Sequence, residues 1–256
     1  MKKHPLFAWL GAAAACAALL WVAVAPRPAR PAVPARPVQR ETESVLSGRV
    51  ILVDAGHGGD DGGARARDSG VWEKELNLGV AQALRTELEQ NGATVIMTRE
   101  RDMQYSANKR QDLTARLDLA RQGRAELVIS LHMNEYRSRR ESGPQVFYRA
   151  GQEESRLLAG AIQASLIRTL KPVKERAALA GDYFMLSLNV PSVLVECGFL
   201  SNVAEEALLL RADYRRLVAR AVREGAEEYL VLMQNRETDA AHGQPGDPPP
   251  LGPDSN

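Results

Sequence analysis

Two histidines lie at matching places in the sequence, each where an apolar run ends. His57 follows ILVDAG, and His132 lies near the end of LVISLHMN. No other histidine occurs between residues 48 and 233. Ligands of open α/β sheets bind at the carboxyl ends of the strands, so two histidines from two strands indicate a binding site at that edge. The alternative interpretation is that both are structural core residues.

Two glutamates could contribute to the same site. Glu196 interrupts the apolar run SVLVECGF. A carboxylate in such a strand is costly unless it is paired, protonated or near a metal, and a salt bridge to a helix arginine is the alternative explanation. Glu73 opens a helix in WEKELNL, where an acid also interacts favourably with the helix dipole. Spacing alone does not choose Glu73 over Glu75.

These residue types predict hydrolytic metal chemistry. Two imidazoles and one carboxylate form a three-ligand zinc site with an open position for water. A further carboxylate nearby would act as a proton shuttle. The glycines around His57, at positions 56, 58 and 59, would let the backbone approach the metal closely.

Strands and helices alternate through residues 48–233, which predicts an α/β sandwich with a mainly parallel or mixed sheet. Apolar runs predict strands at 49–54, 94–99, 127–134, 145–150 and 192–199. Apolar residues at helical spacing predict helices over 73–91, up to Gly123, around 158–170 and over 213–233. Asn202 with Glu205 resembles a capping box that opens a short helix.

The ends of the chain differ from this region. Residues 6–25 carry no charge and are long enough for a helix of ~30 Å, so we expect residues 1–25 to be a basic head and a transmembrane anchor. A cleaved signal peptide is the alternative, but Pro26 would follow the cleavage site. Residues 26–47 predict a proline-rich linker, residues 48–233 the catalytic domain, and residues 234–256 a disordered tail.

Composition excludes some functions. The formal net charge is +1 and aromatic residues make up 5% of the chain, which argues against nucleic-acid binding. Cys16 and Cys197 are too few for a disulfide framework. We interpret Cys197 as a small core residue and not as a nucleophile.

Four motifs in order, DAGHGGDDGGA, EKELNL, LVISLHMN and PSVLVECGFLSN, resemble those of zinc-dependent N-acetylmuramoyl-L-alanine amidases, the amidase-3 group. The resemblance covers about residues 49–232. It implies a mixed six-stranded sheet flanked by helices and one zinc ion per chain. By that resemblance His57, Glu73 and His132 bind the zinc, and Glu196 is the catalytic acid/base.

Within the family, the sequence resembles the spore-cortex, germination-specific type. That resemblance implies peptidoglycan as substrate and removal of stem peptides from muramic acid, so that a deacetylase can form muramic δ-lactam. QVFYRAGQEESRLLAGAI leaves no room for the inhibitory insertion of the division amidases, which implies control by a protein partner. The rivals are another zinc-dependent wall hydrolase, such as a deacetylase, and a non-catalytic wall-binding protein.

The wall substrate implies a catalytic domain outside the cytoplasmic membrane, held there by the anchor. Lys2 and Lys3 precede the apolar segment, whereas four arginines follow it before residue 41. A count of positive charges therefore predicts the opposite orientation. We follow the chemistry and expect an external domain.

Overall fold

A computed structural model describes residues 44–241 of the chain. It contains a six-stranded sheet with the order β2-β1-β3-β6-β4-β5. The strands are β1 (Val50–Ala55), β2 (Thr94–Met97), β3 (Leu127–Asn134), β4 (Gln145–Tyr148), β5 (Leu179–Ala180) and β6 (Ser192–Phe199). All five predicted strands are present.

The sheet is mixed and mainly parallel, as predicted. Strands β2, β1, β3 and β6 are parallel, β4 pairs antiparallel with β6, and β5 is parallel to β4. Of these, β1, β3 and β6 are almost entirely buried because helices cover both faces of the sheet. This arrangement brings the carboxyl ends of β1, β3 and β6 to one edge.

Within residues 44–241, five α-helices flank the sheet. They are α1 (Glu73–Gln90), α2 (Lys109–Gln122), α3 (Glu153–Leu170), α4 (Val203–Leu209) and α5 (Ala212–Ala241). The side chain of Asn202 caps α4 by accepting from the backbone N–H groups of Ala204 and Glu205. The Glu205 carboxylate does not complete a capping box, because it accepts from Gly143 and Phe199 instead.

Alternation along the strands divides the core into two layers. In β1, Ile51 and Val53 pack in the cluster that includes α1, α3 and α5. Leu52 packs on the other face, against Leu117 of α2. Because successive strand residues point to opposite faces, Asp54 lies on the α2 face. The two faces therefore differ: β1 presents apolar side chains to one face, and on the other face it carries the polar Asp54 near its carboxyl end.

Two sequence expectations concern the ends of the chain. The disordered tail was predicted to begin at residue 234, but α5 continues to Ala241, so that boundary was wrong. The segment QNRETDAA contains no glycine or proline, and its alanine, arginine and glutamate residues favour the helix. None of the helices within residues 44–241 is long and apolar enough to cross a membrane. The expected anchor, residues 1–25, lies outside the described residues.

Candidate active site

His132 and Glu196 are placed by the register of two parallel strands. The Cα atoms of His132 in β3 and Glu196 in β6 are partners in the sheet. Their apolar neighbours Leu131 and Val195 pack in the cluster on the opposite face, so both functional side chains lie on the α2 face. Both residues line the same pocket. The sequence expectation that strand ends would bring these residues together is therefore confirmed.

His57 lies two residues beyond β1 in an unusual backbone conformation. Its φ is +61°, in the left-handed region that non-glycine residues seldom adopt. The preceding Gly56 donates its N–H to the carbonyl of Leu131 in β3, which ties the turn to the sheet. The imidazole Nδ1 lies 2.9 Å from Asp61 Oδ2. The turn thus directs the other ring nitrogen, Nε2, toward the first turn of α1.

Glu73, the first residue of α1, bridges the two histidines. Its Oε2 lies 3.2 Å from His57 Nε2, and its Oε1 lies 3.0 Å from His132 Nδ1. Its carboxylate also accepts from the backbone N–H groups of Ala64 and Met133. Glu75 is exposed on the other side of the helix. The structure therefore resolves the choice that spacing left open in favour of Glu73.

The three side chains fit a zinc ion. Their ligand atoms lie within 4.8 Å of one another, and two imidazoles with one carboxylate are a donor set of catalytic zinc sites. Ligands ~2.0–2.2 Å from a tetrahedral ion stand roughly 3.3 Å apart, close to the 3.2 Å between His57 Nε2 and Glu73 Oε2. Burial opposes ionisation of Glu73, but hydrogen bonds from His132 and His57 hold its pKa well below the usual range. The carboxylate is therefore ionised and able to bind a cation.

Glu196 lies beside this cluster with an unsatisfied oxygen. Its Oε2 is buried and has no hydrogen-bond partner, and no lysine or arginine among residues 44–241 forms an ion pair with it. The salt-bridge explanation is therefore wrong. Burial raises the pKa of Glu196 to about 7, and the Glu73 charge adds to this while the two histidines oppose it. A carboxyl group with such a pKa can accept and release a proton near neutral pH.

A pocket of about 360 Å³ opens in front of these residues. Its wall opposite the histidines is formed by α2 and by a short 3₁₀ helix, Phe184–Leu186, that the sequence did not predict. Leu113, Phe184 and Met185 contribute apolar surface to this wall. The charged residues of its lining are Lys109, Asp112, Arg116 and Asp182. The volume lies within the range of small-molecule sites. The pocket can therefore hold the scissile bond of a larger substrate together with the groups on either side of it.

Two glycines allow the histidine and glutamate side chains of the site to approach each other. A Cβ at Gly56 would lie 2.3 Å from the His132 ring, and a Cβ at Gly63 would lie 2.5 Å from Glu73 Oε2. Gly63 also has a φ of +68°, which glycine adopts without steric cost. The glycines around His57 therefore make room for a neighbouring imidazole, as well as for the turn itself.

Sequence reasoning missed the polar residues that support the site. Asp61 faces His57, and a buried group formed by Asp54, Asp112 and Arg116 lies beneath the His57 turn. One feature of the sequence could have revealed Arg116. It shares the helical stripe of Leu113, Leu117 and Ala120, where an arginine is buried only with partners.

Two lesser features of the sequence have clear positions. Cys197 is fully buried in the core, and burial raises the pKa of its thiol, so the interpretation as a core residue is confirmed. In the basic segment RSRR, Arg139 pairs with Asp68. None of residues 137–140 lines the pocket.

Comparison with known proteins places the chain in one enzyme family. The family described as "Amidase_3: N-acetylmuramoyl-L-alanine amidase" matches residues 51–228. The germination-specific N-acetylmuramoyl-L-alanine amidase of Bacillus subtilis is 39% identical over 195 residues, which cover 73% of this chain and 81% of that protein. The B. subtilis amidase LytC is 31% identical over 194 residues, covering 75% of this chain and 38% of that protein.

Solved structures show the same relationship. The CwlD amidase of Clostridioides difficile, determined in complex with the GerS lipoprotein, has a TM-score of 0.66 and 34% identity over 72% of this chain and all of that chain. The catalytic domain of the amidase CwlV from Bacillus (Paenibacillus) polymyxa has a TM-score of 0.65 and 29% identity, covering 72% of this chain and 98% of that chain. The chain therefore belongs to the N-acetylmuramoyl-L-alanine amidase family and is an enzyme of that activity.

Proposed function

We propose that this amidase is zinc-dependent, that His57, Glu73 and His132 hold the ion, and that Glu196 is the catalytic acid/base. One observation carries the proposal. Three metal-ligating side chains converge within 4.8 Å, and the unpartnered Glu196 carboxylate lies in the same pocket. Buried polar side-chain atoms of a structural cluster are satisfied in the large majority of cases, so the unpaired oxygen favours a functional role for Glu196.

The roles of the residues follow from their positions. A zinc ion in such a site supplies a Lewis acid that activates water and polarises a carbonyl oxygen. Glu196 accepts a proton from the attacking water and then delivers it to the departing alanine nitrogen. Its pKa of about 7 suits both steps, because neither protonation state is strongly favoured at neutral pH. The bond cleaved joins the lactyl carbonyl of N-acetylmuramic acid to L-alanine.

The biological setting that we propose is spore-cortex maturation. Its support is the 39% identity to the germination-specific amidase of B. subtilis. Removal of stem peptides would expose muramic acid residues for the later formation of δ-lactam. A short connection also separates this chain from amidases with an inhibitory insertion. Only residues 149–152 connect β4 to α3.

A protein partner is part of the proposal. The C. difficile CwlD amidase was determined with a lipoprotein bound, which supports a regulatory protein for this chain also. We further propose that residues 1–25 anchor the chain and that residues 26–47 hold the catalytic domain, from residue 48 onward, on the wall side of the cytoplasmic membrane. The support for this placement is the location of the peptidoglycan substrate.

Mass spectrometry of digested peptidoglycan tests the proposed activity. The purified chain should release stem peptides that begin with L-alanine, with intact N-acetylmuramic acid left in the glycan. A chelator should abolish the release, and added zinc should restore it. Loss of acetyl groups from the glycan would instead indicate a deacetylase, and an unchanged digest with the zinc-loaded protein would indicate a non-catalytic wall-binding protein.

A further inference from the structure

Three consecutive backbone carbonyls at the His57 turn are held by two arginines. The Ala55 carbonyl accepts from Arg99 Nε at 2.8 Å and from Arg116 Nη1 at 2.9 Å. The Gly56 carbonyl accepts from Arg99 Nη2 at 3.0 Å, and the His57 carbonyl accepts from Arg116 Nη2 at 2.7 Å. Each carbonyl of residues 55–57 therefore accepts at least one hydrogen bond from an arginine side chain.

Arg116 is itself held rigidly. Its side chain is 1% exposed, its Nη1 also donates to Asp54 Oδ1 at 3.0 Å, and its Nε donates to Asp112 Oδ2 at 2.9 Å. Asp54 in turn accepts from Thr98 and Ser130. Because the guanidinium is planar and presents its donors in a fixed fork, these contacts set the direction of Nη2 toward the His57 carbonyl.

The contact to the His57 carbonyl matters because of the backbone conformation there. With φ at +61°, His57 is in a conformation that the surrounding structure must impose. A relaxed turn would rotate the imidazole away from Glu73 Oε2, which now lies 3.2 Å from Nε2. An ion pair that only stabilised the core would need the contacts to Asp54 and Asp112 and no contact to this carbonyl.

We propose that Arg116 is a positioning residue for the metal centre, which sets the orientation of His57 through the His57 carbonyl. The inference rests on the zinc site proposed above. Arg116, a residue of α2 that does not bind the metal, would thus affect the affinity and geometry of the metal site as well as the stability of the fold. Arg99 restrains the preceding carbonyls and links them to α1 through the Lys74 carbonyl. Of the two arginines, Arg116 is the one that donates to the His57 carbonyl.

The test uses the full chain carrying Arg116→Lys. Lysine keeps the positive charge next to Asp54, but one ammonium group cannot replace the planar fork. Zinc affinity of the metal-stripped protein is measured by competition with a chromophoric chelator, and the cobalt-substituted protein is recorded by visible absorption. We expect zinc to bind roughly 10–100-fold more weakly, with a cobalt spectrum that differs from that of the wild type. Neither readout depends on turnover.

Two control variants separate positioning from stability. Arg121→Lys makes the same change on the same helix, at an exposed arginine that pairs with Asp118. Leu166→Ala lowers stability through a buried core position on α3, a helix that contributes no residue to the lining of the pocket. Both should bind zinc within a few-fold of the wild type and give its cobalt spectrum. If Arg116→Lys does not fold, Asp54→Asn/Arg116→Gln removes the Arg116 charge together with the more buried of its two carboxylate partners and carries the same measurements.

The outcomes are distinct. Weaker zinc binding with an altered spectrum in the Arg116 variant alone supports the positioning role. Zinc affinity and a spectrum equal to those of the wild type, in a folded Arg116 variant, would refute it and leave a structural ion pair. An equal loss in Leu166→Ala would refute it also. If the wild type itself binds no zinc, the proposed metal site fails and the inference fails with it.

Discussion

Glu196 is the in-register partner of His132 on the adjacent parallel strand. The two side chains lie on the same face of the sheet and line one pocket, yet only His132 contacts Glu73. The register thus places the imidazole proposed to bind zinc and an unpartnered carboxylate side by side. In the proposed mechanism this relationship separates the two roles, since Glu196 would exchange protons with substrate without holding the ion.

The first prediction replaces Glu196 by glutamine, which keeps the shape and removes the proton carrier. We expect turnover to fall ~10²–10⁴-fold, while zinc content and melting temperature stay close to those of the wild type. Glu205→Gln is the matched control, because that carboxylate accepts two backbone N–H bonds. It should lower stability by about 1–3 kcal/mol and keep most turnover. Turnover of Glu196→Gln within a few-fold of the wild type would remove Glu196 from the mechanism.

The second prediction concerns Asp61, which lies 2.9 Å from His57 Nδ1. A carboxylate on the second ring nitrogen orients a ligating histidine and raises its basicity, and its loss typically weakens metal binding 10–100-fold. We expect this from Asp61→Asn in a chelator competition assay. Asp60→Asn, which alters an exposed neighbour bound to Gln104, should leave zinc affinity unchanged. Equal affinities in the two variants would contradict the role of Asp61.

The third prediction tests the space beside His132. In Gly56→Ala the new Cβ would lie 2.3 Å from the imidazole, so the ring must move. A displacement of ~1 Å at an active site can cost 10²-fold in rate, and we expect a loss of that order in peptide release. Gly160→Ala, in α3 with open space around it, should instead stabilise the fold by about 1 kcal/mol. Full activity in Gly56→Ala would show that the ring is not constrained there.

The fourth prediction concerns pH and the buried Asp54. Burial raises its pKa, but the Arg116 charge and the Ser130 hydrogen bond outweigh this and hold the pKa below its ordinary value of 3.8. The ionised form therefore contributes stability at pH values above about 3.8, and this contribution is lost as the pH falls through the lower folded-state pKa. Asp54→Asn should cost about 3–5 kcal/mol at pH 7.

Urea unfolding between pH 7 and strongly acidic pH measures this contribution. The difference between the wild type and Asp54→Asn should narrow as the pH falls below the ordinary pKa, because the wild-type carboxyl group then becomes neutral too. Asp118→Asn, at an exposed pair with Arg121, should cost no more than about 1 kcal/mol. A difference between wild type and Asp54→Asn that stays constant with pH would contradict the assignment.

The sequence was most informative where the pattern is local. Apolar runs located the five longer strands, and the helical stripe of Leu76, Val80, Leu84 and Leu88 located α1. Strand β5, with two exposed residues, and the 3₁₀ helix have no such pattern, because pairing and packing with distant residues determine them. The end of α5 was missed because the helical segment continues without an apolar face.

The part of the site that lies at strand ends was predictable, because parallel strands end at a common edge of the sheet. That rule brought His57, His132 and Glu196 together. It could not choose Glu73 over Glu75, because the rotation of α1 relative to the sheet is a tertiary property. The contact between Arg116 and His57 joins residues 59 apart in the sequence, and no spacing rule relates a helix position to a carbonyl in a distant turn.

The fifth prediction tests the central claim, that His57, Glu73 and His132 together hold the zinc on which hydrolysis depends. Elemental analysis of the full chain should find one zinc per chain. When zinc is titrated into the metal-stripped protein, the release of alanine-terminated stem peptides should rise until one zinc per chain has been added. His57→Ala, Glu73→Ala and His132→Ala should each lose metal and activity together. Glu75→Ala, at an exposed position on the other side of α1, should lose neither. A His132→Ala protein that still holds one tightly bound zinc per chain would contradict the account.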